Sequence, residues 1–180
     1  PLHIAHISTR GSLELVRQAK ERGLKVTCEV TPHHLTLTDE VVGSYDADTK
    51  VNPPLRSAEH LEALVQGLNE GVIDCIASDH APHEIEAKDC EYNLASSGIS
   101  GLETAVAVVF DRLVNTGRVK LEKVVEAWTA GPARVLNLDK GRLEKGRAAD
   151  ITIIDPNLEK KVEPAKFYSL GKNTPYKGQV

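Results

Sequence analysis

The segment Ser78-Asp79-His80-Ala81-Pro82-His83 puts one carboxylate and two imidazoles directly behind Val72-Ile73-Asp74-Cys75-Ile76-Ala77, a short apolar run rich in β-branched residues. Such groups at the end of a buried strand can bind a metal or move a proton. Pro82 fixes its own φ and biases Ala81 toward an extended conformation, so His83 is aimed by a stiff segment. The plainer reading, a polar turn capping the next helix, stands beside it. His6, in a run of alternating Ile and Ala, can point to the same edge as a ligand or sit as a satisfied core histidine. His3 reads as structural. Histidine and carboxylate ligands from separate strands can hold zinc with a position open for water, whose pKa falls to about 7 and whose proton a neighbouring Asp can take. For His33-His34, after Pro32, hydrogen bonding to a loop is favoured over ligation. Asn52, ahead of two prolines, is a rigidly held amide that can orient a polar substrate or fix a turn. Gly98 can bring backbone N–H groups close to a ligand or simply admit the chain to a helix.

These residues need a scaffold, and the pattern supplies one. A strand over Leu2 to Ser8 leads through Gly11 to a helix from Ser12, read as its N-cap, to about Arg22; Gly23 then delivers the chain to a strand over Lys25 to Val30. After a short helix near Asp39 to Val42 and a long loop, a helix from Ala58 to about Asn69 starts on Ser57, stops at Gly71 and feeds the Val72 strand. Alternating strands and helices make a parallel sheet, and right-handed crossovers bring His6, Thr31 and Asp79 to one edge. Beyond the charged stretch Glu84 to Ser97, Gly98 to Gly101 opens a helix to about Asn115; further helices cover Leu121 to Thr129 and Ala133 to Leu136. Trp128 shares a face with Val124 and Val125 and reads as core. A last strand is expected over Ala149 to Ile154.

Composition narrows the function classes. A net charge of -4, from 22 basic and 26 acidic residues without a basic block, argues against a nucleic-acid footprint and gives no membrane-surface signal. No run of 18 apolar residues and no signal-peptide pattern occurs, so a soluble cytoplasmic protein is expected. Cys28, Cys75 and Cys90 form neither a metal doublet nor a disulfide framework. Pro1 opens inside a strand pattern and the chain has no Met, which points to a piece of a longer polypeptide.

Taken in order, His6-Ile7-Ser8-Thr9, Glu29-Val30-Thr31-Pro32-His33-His34, Asn52-Pro53-Pro54-Leu55-Arg56 and Ser78 to His83 resemble the second half of a bacterial-type dihydroorotase, of the amidohydrolase superfamily. The likeness runs on through Gly98-Ile99-Ser100-Gly101-Leu102-Glu103-Thr104, Gly131-Pro132-Ala133-Arg134 and Gly146 to Ile151, as far as Asn173-Thr174-Pro175, and so covers nearly the whole chain. It implies an α/β fold: the C-terminal part, about strands 6 to 8, of a metal-dependent (β/α)8 TIM barrel, plus part of a small β-domain. Residues 1-140 would belong to the barrel and 141-180 to the helix exit and accessory β-domain.

The resemblance also implies roles. His6 would be the zinc ligand of the sixth strand and Asp79 the eighth-strand ligand and catalytic proton shuttle. Asn52, His83 and the Ser97-Gly98 backbone would hold the substrate, dihydroorotate or N-carbamoyl-L-aspartate, in pyrimidine synthesis. His34 matches the family without being a ligand. One or two zinc ions would be bound, and a homodimer or an aspartate transcarbamoylase complex are the partners implied. Two departures matter: Ser96-Ser97 stands where the family usually has Pro-Phe, and the first-strand His-x-His pair with its Arg and the ligands of the fourth and fifth strands have no counterpart here. The chain alone is therefore expected to be inactive. Other readings are a hydantoinase- or allantoinase-like cyclic amidohydrolase and a non-catalytic dihydroorotase-like subunit.

Overall fold

The computed structural model describes residues 1–180. Its centre is a three-stranded parallel sheet in the order β1 (Leu2–Ile4), β2 (Val26–Val30), β3 (Cys75–Ile76). Leu2 pairs with Val26 and Ile4 with Cys28, while Glu29 pairs with Cys75 and Val30 with Ile76. Two βαβ crossovers build it, through α1 (Arg10–Glu21) and α3 (Ala58–Glu70). Leu13 and Val16 of α1 and Leu61, Leu64, Val65 and Leu68 of α3 are buried in one apolar core with Cys28, Val30 and Ile76. Each large side chain removed from water there contributes roughly 1.5–3 kcal/mol.

The strands are shorter than their apolar runs predict. Val72 and Ile73 are buried but unpaired in the ladder, because both of their N–H groups go to the Gly67 carbonyl at the end of α3, while the Asp74 side chain takes over part of the strand's hydrogen bonding. Its Oδ2 accepts from the Cys28 N–H at 2.8 Å and from Lys20 Nζ at 2.7 Å, and its own N–H donates to the Cys28 carbonyl at 3.0 Å. A second correction concerns α1. The cap is Thr9, not Ser12: Thr9 is extended and its Oγ1 accepts from the Ser12 N–H at 3.1 Å, so the helix begins three residues after Ile7.

After β2 the chain enters α2 (Pro32–Thr36), a single turn capped by Thr31, whose Oγ1 accepts from the His34 N–H, with Pro32 at its first position where a missing N–H is harmless. The helix expected from Gly98 begins only at α4 (Ala105–Val109) and passes into a π-type turn over Phe110–Val114; α5 (Leu121–Trp128) and α6 (Ala130–Val135) follow. Trp128 is half-buried against the core. The strand expected over Ala149 to Ile154 does not form. No neighbouring strand lies beside it to complete a ladder, and Ile153 is left 92% exposed. The carboxyl-terminal residues then return to the main body, where Tyr176 is among its most buried side chains.

Candidate active site

His6 and Asp79 leave β1 and β3 at the same, carboxyl, edge of the sheet, one on each side of β2. Both carry positive φ, 38° and 47°, a left-handed backbone that a non-glycine residue adopts only at a cost of about 1–3 kcal/mol. Two such residues at matching strand exits turn their side chains out of the strand path. His6 Nδ1 is buried without a hydrogen-bond partner. Its neighbour Ile7 is anchored by an N–H to the Glu29 carbonyl at 2.9 Å.

Between them, at the end of β2, lie His33 and His34, with ring centroids 4.6 Å apart. His34 does what a structural histidine does: its Nε2 contacts the Pro53 carbonyl at 3.0 Å and its Nδ1 the Thr31 hydroxyl at 2.8 Å. Since the carbonyl can only accept, Nε2 carries the proton and Nδ1 accepts from Thr31. This bond also pins the turn that presents Asn52, itself exposed. Burial lowers the His34 pKa to about 4. His33 is more extreme, being 1% exposed with neither ring nitrogen partnered. Burial first, then the neighbouring His34 and His6 rings, hold it neutral, well below the ordinary histidine range. His3 is satisfied by Thr27 and Glu29, as its structural reading expects.

Of the remaining expected residues, His83, Ser97 and Gly98 meet in one place, and the chain just before Asn52 is tied to it. His83 Nε2 lies 3.0 Å from the Ser97 carbonyl. The Gly98 N–H donates to the Lys50 carbonyl at 2.8 Å, which draws the Asn52 loop to the same spot. Gly98 has φ 137°, and a Cβ there would sit 2.5 Å from the Ala81 Cβ and 3.0 Å from His83 Nε2, so only glycine allows this approach. His80 faces elsewhere: its Nδ1 accepts from the Leu102 N–H at 3.2 Å, close to the polar-turn reading. Sequence reasoning gave no role to Asn173 and Ser100, which tie these loops together. The signal was present only as a polar triplet, Asn173-Thr174-Pro175, far along the chain.

No group of three or more His, Cys, Asp or Glu side chains converges as a metal site. The chain's own donors toward one are an imidazole with a buried, unpartnered nitrogen and a carboxylate at matching strand exits, both types that zinc accepts. They fit as a partial ligand set.

A parallel sheet with helical crossovers, and polar groups collected at the carboxyl ends of its strands, is the arrangement of a barrel-type α/β enzyme scaffold. Residues 3–180 match the model of the amidohydrolase family, and the chain belongs to that family, whose members are typically metal-dependent. It is 56% identical over 179 residues to the dihydroorotase of Pelotomaculum thermopropionicum, covering 99% of this chain and 42% of that protein. It is 53% identical over 177 residues to the dihydroorotase of a Thermoanaerobacter species, covering 98% and 41%. Among solved structures, the L-hydantoinase (dihydropyrimidinase) of Arthrobacter aurescens superposes with a TM-score of 0.93 at 35% identity, covering 98% of this chain and 40% of the other. The chain thus spans well under half the length of the relatives it matches.

Proposed function

We propose that the chain is the carboxyl-terminal part of a zinc-dependent dihydroorotase, which reversibly cyclises N-carbamoyl-L-aspartate to L-dihydroorotate, and that the fragment alone is inactive. On this reading β1 to β3 are barrel strands 6 to 8, residues 1-140 are barrel, and residues 141-180 are the helix exit and the part of an accessory β-domain whose partner strands lie outside this chain. One observation carries the reading: His83, the Ser97-Gly98 backbone and the Lys50-to-Asn52 turn meet at the sheet edge that also holds His6 and Asp79. That is a carboxylate-recognition corner beside a ligand pair. With Nε2 engaged by the Ser97 carbonyl, His83 Nδ1 is the nitrogen left to face a substrate carboxylate. Asn52 contributes a carboxamide on a turn stiffened by two prolines.

His6 and Asp79 would be two of the zinc ligands, the others lying outside this chain. Bound zinc supplies Lewis acidity toward water and toward the ring carbonyl. Asp79 Oδ takes the proton released as the amide is attacked and returns it to the departing nitrogen. The buried, neutral His33 and His34 exclude water and brace this edge.

The hydantoinase-like reading is favoured by the L-hydantoinase superposition. The two differ in the ring carboxylate, which hydantoin lacks. Purified full-length enzyme assayed with dihydroorotate, hydantoin and dihydrouracil distinguishes them: kcat/KM for dihydroorotate should be at least ~1,000-fold above that for the other rings, as for sites built to pair a polar group. Equal turnover of all three would overturn the assignment.

A further inference from the structure

We infer that Asn173 is the positioning residue that sets the substrate-carboxylate corner, by locking the His83 loop to the Gly98 loop; this rests on the reading of that corner given above. Asn173 lies 90 residues from His83 in sequence, in the returning carboxyl-terminal segment, and is buried. Both ends of its carboxamide are bonded. Oδ1 accepts from the His83 N–H at 3.0 Å and lies 3.0 Å from Ser100 Oγ, whose one proton is shared with the nearer Gly171 carbonyl. Nδ2 donates to the Gly98 carbonyl at 2.9 Å and to the Ala81 carbonyl at 3.3 Å. The backbone N–H can only donate and the two carbonyls can only accept, so the orientation of the amide is fixed by its partners.

The surroundings show why an amide is required. Residues 81–83, 97–100 and 171–173 come together with almost no side-chain volume between them. A Cβ on Gly171 would lie 2.6 Å from the Pro82 Cβ and 2.7 Å from the His83 nitrogen. Ser100 braces Asn173 twice more, with its N–H on the Asn173 carbonyl at 2.6 Å and its Oγ on the Gly171 carbonyl at 2.7 Å. The two loops also touch through a parallel bridge between His80 and Ile99, with the Ala81 N–H on the Ile99 carbonyl at 2.9 Å. That bridge fixes their approach but leaves the His83 end free to swing. Asn173 closes that end, holding His83 against the Gly98 turn where Nε2 finds the Ser97 carbonyl. A carboxylate of the same shape could keep the bond to the His83 N–H, yet it would have no donor for the Gly98 and Ala81 carbonyls and would repel both.

The test is a double-mutant cycle in the full-length enzyme on Asn173→Asp and His83→Ala, with dihydroorotate as substrate. Asn173→Asp should raise KM about tenfold or more while kcat changes under about threefold and zinc content is unchanged, as expected when a group that binds substrate is displaced. In the His83→Ala background the further rise in KM should be clearly smaller than in the parent, because part of the effect passes through the His83 imidazole. Asn173→Asp with unchanged KM, or the full tenfold effect in both backgrounds, overturns the positioning role. His83→Ala with unchanged KM overturns instead the assignment of the corner, so the two failures are distinguishable. Should Asn173→Asp fail to fold, Ser100→Ala removes one brace and keeps the amide. It should raise KM about threefold with kcat held, and an unchanged KM there overturns the inference.

Discussion

The two halves of the proposed site are built on opposite plans. Around His83, Gly98 and Asn173 the corner is self-contained, its carboxamide bonded at both ends and its three segments all drawn from this chain. Around His6, Asp79 and His33 the same sheet edge holds strained backbone and buried nitrogens without partners. Buried polar atoms are nearly always bonded, so the unpaired ones mark where something else is meant to sit. On the proposed reading, the substrate corner comes with the carboxyl-terminal segment, whereas the metal edge would be completed by groups outside this chain. A prediction that perturbs one half should leave the signature of the other alone.

The largest effect separates them most sharply. In the full-length enzyme, Asp79→Asn should lower kcat by at least about 1,000-fold, since it removes both a ligand charge and the proton acceptor. Zinc content should fall, while dihydroorotate still binds through the other half. Turnover within tenfold of the parent, followed by a steady-state assay with metal analysis, would abolish the division of labour.

How much of this was legible beforehand follows the same division. The crossovers, the helix ends near Gly23 and Gly71 and the edge that gathers His6, Thr31 and Asp79 are local in sequence, set by apolar period and turn residues. The Thr9 cap was missed because Ser12 is an equally good capping type, and only the extended backbone at Thr9 decides between them. The Ala149 to Ile154 run alternates as a strand should, but a strand exists only where another pairs with it. Asn173 was unreadable for a different reason: an asparagine in a polar tail gains its meaning from carbonyls 75 and 92 residues away. His33 read as an ambiguous turn residue because no spacing rule reports the burial of both ring nitrogens.

An intermediate effect probes acid sensitivity. The Asn173 brace is made of amides and a hydroxyl that do not titrate, but α2 buries two imidazoles that must stay neutral. His34 has its folded pKa lowered from 6.5 to about 4, so the native state binds fewer protons than the unfolded chain in that window. Stability is then full above about pH 6.5 and is lost as pH falls toward 4, a contribution of about 3 kcal/mol by linkage. Urea unfolding of the full-length enzyme at pH 7 and pH 5 should show the loss, and His34→Gln, which can still accept from Thr31 and donate to Pro53, should recover about 2 kcal/mol of it at pH 5. An undiminished loss in that variant would show that the burial of His34 is not what makes the enzyme acid-labile.

The smallest effect asks whether the corner is set by Asn173 itself or merely by a tail that is well tied down. Tyr176, three residues on, is 1% exposed, and its hydroxyl lies 2.8 Å from Thr36 Oγ1. The Thr36 proton is already given to the Pro32 carbonyl at 2.8 Å, so the tyrosine is the donor in this pair. Burial raises its pKa to about 12, so it keeps that proton. Arg112 adds a second anchor, with its guanidinium over the Tyr176 ring at 5.7 Å and one nitrogen on the Thr36 carbonyl at 2.8 Å. Thr36→Val keeps the shape of α2 but strips the acceptor from a buried phenol, which should destabilise the enzyme by about 1–2 kcal/mol. Because the amide of Asn173 makes its own bonds to His83, Gly98 and Ala81, KM for dihydroorotate should stay within about twofold of the parent even as the denaturation midpoint drops. A KM that rises in step with lost stability would mean that general anchoring of the tail, and not the Asn173 carboxamide, holds His83 in place.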